Sequence, residues 1–546
     1  MKLLAHIRSK SRLKSTDDTK TDEKHLLKRP ASDVWAAPDP TAAFSAPLLE
    51  ELLSYVCPHS RDDTYTSCEE SMVDGGCMLC DMRDLSQCAL VNQQWFKAAQ
   101  NLLYHNVRID AVHYCDREEE VAKRRTRSPF VGRNESPKDA SQERLQFFSR
   151  TVRENGFLAD KVQYLKIAYM TRESCMSDIA RTVSVLRNLL YVDLPDGVYR
   201  DEPSSNTLKQ EVEHCTNLGY MKYVGGAENS FQSLAHSRHW RHLKTLELSH
   251  LEVESSTILE VRGTLDALRE VKLTNLAMLD DSIFGPSING SLPPLAKLTL
   301  QDIPNISADG LIAYLSQREA KENLTSLSIA NTGISPAEYH RILASAPYLT
   351  NLEIVENVSR ALPSSALPFL ASRSLRTLHY EISNANSSPR GLKNPADSYY
   401  SYLASSILNG SLPSLSNLYA LSTTLPILLV PPPRPAMTGN RTGNVPSPLK
   451  LGITRPLTLY TKTISELEWD LTLIIPPTSL DRRLSAMNIG PMSLQGPQLS
   501  PQWRDKGRES VMVGNGFGGF LAVPTENTRP GNAKVKKRQD SGAWMG

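Results

Sequence analysis

Residues 243–251, LKTLELSHL, have leucine at the first, fourth and sixth positions. In a helix these three positions would lie at about 0°, 300° and 140° around the axis, so the leucines could not share one face. In a strand, the fourth and sixth positions point to the same side. The stretch therefore predicts a short β-strand that buries Leu246 and Leu248 in one core.

The same pattern returns five more times along the chain. Its copies are LREVKLTNL from Leu268, LAKLTLQDI from Leu295, LTSLSIANT from Leu324, LTNLEIVEN from Leu349 and LRTLHYEIS from Leu375. The fourth positions follow each other at steps of 25, 27, 29, 25 and 26 residues: Leu246, Val271, Leu298, Leu327, Leu352 and Leu378. Weaker copies begin at Val162, Leu189, Leu218 and Leu415. Because one such unit cannot bury its own apolar face, we expect the units to stack side by side.

This motif and its period resemble the leucine-rich repeat over residues 160 to about 421. The resemblance implies an α/β solenoid with a parallel sheet on the concave side and helices on the convex side. Leu251, Leu276 and Ile303 stand where the repeat usually has Asn or Cys, so we expect irregular repeats. A helix within residues 143–156 should cap the first strand.

Three short apolar segments precede the repeats. In PLLEELLSYV, residues 47–56, apolar side chains recur every three or four positions and predict one face of a helix: Leu48, Leu49, Leu52, Leu53 and Val56. A second stripe lies in DLSQCALVNQQWF, residues 84–96: Leu85, Cys88, Leu90, Val91 and Trp95. A third segment contains Leu102, Leu103 and Val107. We interpret the three as a small helical unit that needs a further surface to complete its core.

Segments 47–57 and 84–109 resemble the F-box. The matching residues are Glu51-Leu52-Leu53, Val56, Asp84-Leu85, Val91, Trp95 and the end from Tyr104 to Val107. The resemblance implies that the helices bind a Skp-family adaptor and, through it, the cullin of a cullin-RING (SCF-type) ubiquitin ligase. It implies an adaptor-binding set of Leu48, Leu52, Leu53, Val56, Leu85, Val91 and Trp95. Two features differ from the family: Leu49 stands at the place of its proline, and the loop after the first helix is longer.

That loop, residues 58–83, contains the pair Cys77 and Cys80. Two thiolates at this spacing can reach one tetrahedral zinc ion. We name Cys57, Cys68, Cys77 and Cys80 as candidate zinc ligands, without assigning a metal. The alternative is a flexible insertion with reduced thiols, and the sequence leaves both open.

Composition narrows the class of protein. The chain has 546 residues, of which 40% are hydrophobic and 22% charged, and this length predicts more than one structural unit. A net charge of +2 gives no field that would favour nucleic acid or an anionic membrane. No stretch has the roughly 18–20 apolar residues of a membrane span. We therefore expect a protein of the cytoplasm, the nucleus or both, with no nucleic-acid or membrane partner. The common hydrolase, zinc-protease and phosphate-loop motifs do not occur in the sequence. We therefore expect that the protein is not an enzyme and that it binds no cofactor.

These patterns predict five parts. The predicted boundaries are a disordered arm at 1–43, an F-box-like helical unit at 44–110 with the Cys-containing insertion 58–83, a charged linker at 111–141, a capped solenoid at 142–425 and a mostly disordered tail at 426–546, in which 456–475 can form strands.

The resemblances together predict a substrate-recognition subunit that holds an unknown target protein on the concave face. The candidate target-binding residues are the outward-facing polar ones: Lys244, Glu247, Arg269, Lys272, Lys297, Asn351, Glu353, Arg376 and His379. The alternative is a leucine-rich repeat scaffold in which the F-box-like helices only cap the solenoid. The displaced proline and the long loop favour that alternative.

Overall fold

The structure is a computed structural model. It describes residues 44–71, 77–111, 113, 115–120, 140–237, 239–285, 291–363, 367–384, 394–429, 453 and 455–476. The predicted arm at 1–43, most of the linker at 111–141 and the tail beyond 476 lie outside the described residues.

Helices fill the space before and between the strands. The helices of the described residues are α1 Ala46–Ser54, α2 Met78–Cys88, α3 Gln93–His105, α4 Ala140–Glu154, α5 Gly156–Ala159, α6 Tyr169–Ser174, α7 Met176–Val183, α8 Asp196–Tyr199, α9 Asn206–Glu213, α10 Glu228–Ser233, α11 Ser255–Arg262, α12 Ala308–Ser316, α13 Arg318–Asn323, α14 Tyr339–Ser345, α15 Pro395–Leu408 and α16 Leu425–Leu428. Short 3-10 turns are Pro58–Arg61, Pro203–Ser205, Asp281–Ile283 and Pro336–Glu338.

The strands form two sheets that continue one another. They are β1 Asn106–Ile109, β2 Tyr164–Ile167, β3 Tyr191–Val192, β4 Tyr220–Val224, β5 Thr245–Ser249, β6 Glu270–Thr274, β7 Lys297–Gln301, β8 Ser326–Ala330, β9 Asn351–Val358, β10 Thr377–Asn384, β11 Asn417–Ala420, β12 Leu457–Thr461 and β13 Asp470–Ile474. β1 to β3 form one parallel sheet, and β4 to β13 follow in chain order in the second. Only β13 pairs antiparallel among the strands described. The amide of Gly219 donates to the carbonyl of Leu190 and bridges the two sheets.

The predicted repeat leucines pair in register. Leu246 lies opposite Val271, and the ladder continues through Leu298, Leu327, Leu352 and Leu378. Each of these side chains is at most 3% exposed, because helices cover that face of the sheet. The α/β solenoid predicted from the leucine spacing is therefore confirmed.

Each central strand ends in the same way. One residue with positive φ follows β5, β6, β7 and β8 respectively: His250 (58°), Asn275 (50°), Asp302 (54°) and Asn331 (48°). The amide of each then donates to a carbonyl of the next repeat, as from Asn275 to Gln301. Leu251, Leu276 and Ile303, which replace the usual Asn, lie in the core. The repeats are thus fixed by backbone turns and buried leucines.

The second predicted helix differs from the structure. The stripe over residues 84–96 is divided between α2, which ends at Cys88, and α3, which begins at Gln93. Asn92 caps α3 by accepting hydrogen bonds from the amides of Gln94 and Trp95. This local side-chain cap competes with continuation of the helix.

The two ends of the sheet are formed by segments outside the six strong repeats. Val107 lies in β1, which pairs with β2, so the polypeptide passes directly from α3 into the sheet. At the other end, segment 456–475 contains β12 and β13. Leu425–Leu428 forms a helical turn against α15.

Candidate functional site

The predicted adaptor-binding residues divide into two groups. Leu53 and Leu85 are buried in a small core that also contains Leu49, Ala99 and Leu102. Val56 and Trp95 are half-buried and pack against this core. These side chains hold the three helices together.

The remaining predicted residues face solvent. Leu48, Leu52 and Val91 are 45%, 44% and 57% exposed. Three further large apolar residues that the sequence prediction did not select are also exposed. We call the set of six the helical face: Leu48, Leu52, Tyr55, Leu90, Val91 and Phe96. Clustered exposed apolar side chains mark interaction sites.

The packing of α1 on α3 places these residues on neighbouring elements. Near the start of both helices, the Gln94 side-chain amide donates to the carbonyl of Phe44. Further along, the Asn101 side chain donates to Glu50 at 2.6 Å. The two helices therefore run in the same direction. The turn before α3, which contains Leu90 and Val91, lies at the end where α1 begins.

The insertion after α1 is folded against the sheet. We call residues 62–71 the strap. The Cys68 amide donates to Asp193 at 3.0 Å, and Arg108 donates to the Cys68 carbonyl at 2.9 Å. The Tyr65 ring lies 6.0–6.4 Å from the rings of three tyrosines, one on each of β2, β3 and β4: Tyr164, Tyr191 and Tyr220. The strap thus covers the first strands and joins the helical unit to the solenoid.

One buried ion pair fastens the strap. Lys166, whose side chain is 0% exposed, lies 2.6 Å from Asp62. Burial alone would raise the pKa of Asp62, but hydrogen bonds from Lys166, Ser71 and Thr64 outweigh it and lower the pKa to about 2. Asp62 is therefore ionised at neutral pH, as a partner of a buried lysine must be.

The face of the sheet opposite the helices carries the predicted target-binding residues. Glu247, Lys272, Glu353 and His379 belong to one continuous row across the strands, whose full order is Lys222, Glu247, Lys272, Thr299, Ser328, Glu353, His379, Tyr419 and Tyr460. We call this the central row. Lys297 and Asn351 lie in the adjacent row. Lys244, Arg269 and Arg376 immediately precede their strands.

The carboxylate in the charged part of the central row is already paired. Glu247 lies 3.2 Å from Lys222 and 3.4 Å from Lys272, and it accepts a hydrogen bond from Tyr220. Burial would raise the pKa of Glu247, but the two lysines and Tyr220 outweigh it and lower that pKa. A carboxylate with three partners of its own has little left to offer a target.

The other end of the central row is aromatic. The Tyr419 ring stacks on His379 at 3.9 Å and on Tyr460 at 4.3 Å, and Trp469 packs edge-on against it at 5.3 Å. Lys462 lies 4.3 Å from the centre of the Trp469 ring. We call His379, Tyr419, Tyr460 and Trp469 the aromatic ladder. Of these, the sequence prediction named only His379, because β11 and β12 lie about 40 residues apart and break the repeat period.

The structure does not bring together the four cysteines named as candidate zinc ligands. Cys57 lies in the core of the helical unit, near His59 and Asp81. Cys68 is buried in the strap, 3.3 Å from Asp110. Cys77 and Cys80 lie instead beside a third cysteine, Cys115, and all three sulfur atoms are within 4.8 Å of one another.

Two of the three thiols, Cys80 and Cys115, differ in acidity. Burial opposes ionisation of Cys115, but the backbone N–H of Glu118 and the thiols of Cys77 and Cys80 outweigh it and lower the pKa of Cys115. Burial, together with the neighbouring thiols of Cys115 and Cys77, raises the pKa of Cys80 to about 12. The Nδ1 atom of His113 lies 3.7 Å from the Cys77 sulfur.

Comparisons with known proteins give little beyond this geometry. No family model and no curated protein sequence matches the chain. Among solved structures, that of the Rad7 and Elc1 complex in yeast matches with a TM-score of 0.32 and 13% identity, over 65% of this chain and 95% of that chain. That of the TLR13–ssRNA13 complex matches with a TM-score of 0.24 and 12% identity, over 48% of this chain and 40% of that chain. Scores this low carry no inference about partners. Among the helices described, none is long and apolar enough to cross a membrane.

Proposed function

We propose that this chain is the substrate-recognition subunit of a cullin-RING (SCF-type) ubiquitin ligase. In this proposal the helical face binds a Skp-family adaptor, and the open face of the sheet binds the target protein. The protein itself does no chemistry. The observation that carries the proposal is the helical face, six large apolar side chains exposed on the short helices and turns of one small unit.

The helical face is not needed to complete the core of its own unit. Leu49, Leu53, Leu85 and Ala99 are at most 2% exposed without any contribution from outside the chain. Burying one leucine side chain stabilises a complex by about 1.5–3 kcal/mol. Covering several of the six residues would therefore give a partner substantial affinity. The F-box resemblance supports a Skp-family adaptor as that partner.

The strap supports the proposal that one chain holds the adaptor and the target at the same time. Joining two binding surfaces raises the effective concentration of one partner near the other only if the geometry permits simultaneous binding. The buried pair of Asp62 and Lys166, together with the contacts of Cys68, fixes the helical unit to the first strands. A target on the sheet would then be held at a defined position relative to the adaptor.

The second candidate function is a non-enzymatic repeat scaffold. The observation in its favour is also the strap, because its contacts with β1 to β4 seat the helical unit as a cap on the sheet. In that case the helical face would have no adaptor to bind. The two proposals therefore differ in one measurable interaction, the binding of a Skp-family adaptor to the helical face.

The test is co-expression with a Skp-family adaptor followed by size-exclusion chromatography. The unsubstituted chain should elute as a one-to-one complex. The double variant Leu48→Asp/Leu52→Asp should lose it, because charged side chains cannot be buried in an apolar interface without a partner. Both positions are exposed, so the variant should remain folded, as circular dichroism would show. Substituting the buried Leu53 would test only folding.

Met278→Asp is the matched control, because Met278 is also an apolar residue, 57% exposed, but lies outside the helical unit. This variant should keep the complex. A folded parent chain that elutes without the adaptor would reject the ligase proposal and favour the scaffold.

A further inference from the structure

We propose that Cys77, Cys80, Cys115 and His113 bind one Zn²⁺ ion as a structural site of three thiolates and one imidazole. In a tetrahedral site with Zn–S bonds of about 2.3 Å, sulfur atoms are about 3.8 Å apart. The three sulfur atoms here are within 4.8 Å of one another, and His113 Nδ1 is 3.7 Å from the Cys77 sulfur. The three sulfur atoms form the cluster, and a rotation of the His113 ring from Cys77 toward Cys80 and Cys115 would supply the fourth ligand.

The backbone positions these ligands at the starts of helical turns. The amides of Cys80 and Asp81 donate to the carbonyl of Cys77, at 2.9 Å and 3.0 Å. Both sulfurs of the pair therefore project from one turn. The amide of Glu118 donates to the carbonyl of Cys115 at 2.9 Å and forms a corresponding turn in the second segment. The site thus has two short ligand-bearing segments, which is the usual construction of structural zinc sites.

The histidine is oriented for metal binding. Its Nε2 atom lies 3.8 Å from Asp110, and Arg108 holds the other oxygen of that carboxylate at 2.7 Å. Metal-binding histidines commonly direct their second nitrogen toward a carboxylate, which fixes the ring and its tautomer. With Nε2 directed to Asp110, Nδ1 is left to face the cysteines.

A second cluster nearby, which combines a thiol, an imidazole and a carboxylate, is a weaker candidate for a zinc site. Cys57, His59 and Asp81 have ligand atoms within 4.8 Å of one another, but this group offers only three ligands among the described residues. His59 Nδ1 and Asp81 Oδ2 lie 3.7 Å apart, and neither atom has a hydrogen-bond partner within the described part of the chain. We therefore expect one zinc ion per chain.

The site would join two parts of the chain that are distant in sequence. Cys77 and Cys80 begin α2 of the helical unit, whereas His113 and Cys115 follow β1 of the sheet. A zinc ion here would fix α2 beside the first strand. Like the strap, it would hold the helical unit in place, and its existence does not depend on the identity of any partner.

The experiment measures metal content of the full chain, purified without metal-affinity steps, by inductively coupled plasma mass spectrometry. About one zinc per chain is expected. Cys80→Ser and Cys115→Ser should lose most of it. Cys88→Ser is the matched control, because Cys88 lies on the same helix but outside the cluster, and it should keep the metal.

His113 is tested by two substitutions. His113→Ala should weaken zinc binding at least about 10-fold, whereas His113→Cys should restore it, because a set of four cysteines also binds zinc. Replacement of zinc by Co²⁺ should give the absorption of a tetrahedral thiolate site in the parent chain, and this signal should be absent in Cys115→Ser. The proposal is overturned if the folded parent chain contains no zinc, or if Cys115→Ser retains it while Cys57→Ser loses it.

Discussion

At the scale of single residues, the ion pair between Asp62 and Lys166 has the clearest energetic consequence. Breaking a buried pair by removing one partner leaves an uncompensated charge and costs about 3–5 kcal/mol. We expect Asp62→Asn to lower the free energy of unfolding by that amount in urea denaturation. The double variant Asp62→Leu/Lys166→Met should recover most of the loss, since it removes both charges. A single variant as stable as the parent would show that Lys166 is not buried against Asp62.

Glu356 predicts an unusual dependence of stability on pH. It is buried near the core face of β9, and burial raises its pKa to about 7, although the Thr332 amide and the Tyr339 hydroxyl donate to it. The unfolded pKa is 4.5. The pKa of Glu356 is higher in the folded state than in the unfolded state, so its full contribution to the stability of the folded state is present below pH 4.5. This contribution is lost as the pH rises through about 7. The difference between these two pKa values corresponds to about 3 kcal/mol.

Glu356→Gln removes this titration. Thermal unfolding should show the variant gaining stability relative to the parent between about pH 5 and about pH 8. Parallel profiles for the parent and Glu356→Gln would contradict the prediction.

At the scale of elements, the turn that ends each central strand sets the repeat. Asn275 has a φ of 50° and an exposed side chain, so its substitution tests the backbone alone. A β-branched residue tolerates this region poorly, and we expect Asn275→Val to lower the unfolding free energy by about 1–2 kcal/mol. Asn275→Gly should be nearly neutral, because glycine adopts positive φ without steric cost. Equal effects of the two substitutions would show that the conformation of the turn does not matter.

The same elements show why some features were predictable. The leucine spacing specified β5 to β10 because a strand's buried positions are encoded in its own residues. The break between α2 and α3 was missed because the cap of Asn92 outweighs an apolar stripe that appears continuous. The strap could not be predicted, since Asp62 and Lys166 are 104 residues apart and neither residue indicates the other. The positions of Cys115 and His113 beside Cys77 and Cys80 were not predicted for the same reason.

At the scale of the whole molecule, one proposed binding surface lies on the helical unit beside the first strands, and the other lies on the open face of the sheet. The strap covers the first strands, and in the region that follows Glu247 is already paired with Lys222 and Lys272. The aromatic ladder on β10 to β12 is left as the most suitable anchor for a target, because aromatic residues dominate binding energy at interfaces. With strands about 4.8 Å apart, β12 lies about 38 Å from β4 along the sheet.

This separation predicts that the two binding activities can be removed independently. Tyr419→Ala removes the central ring of the aromatic ladder, and we expect at least about a 10-fold loss of target binding with adaptor binding unchanged. Leu48→Asp/Leu52→Asp should have the opposite effect. Proximity labelling in cells, followed by pull-down with each variant, would identify proteins that depend on Tyr419 and not on the helical face. Tyr419→Phe, which keeps the stacked ring, should retain them. If every captured protein instead depended on the charged end around Glu247, the target would have to bind beside the strap, and adaptor and target would then compete for space at one end of the sheet.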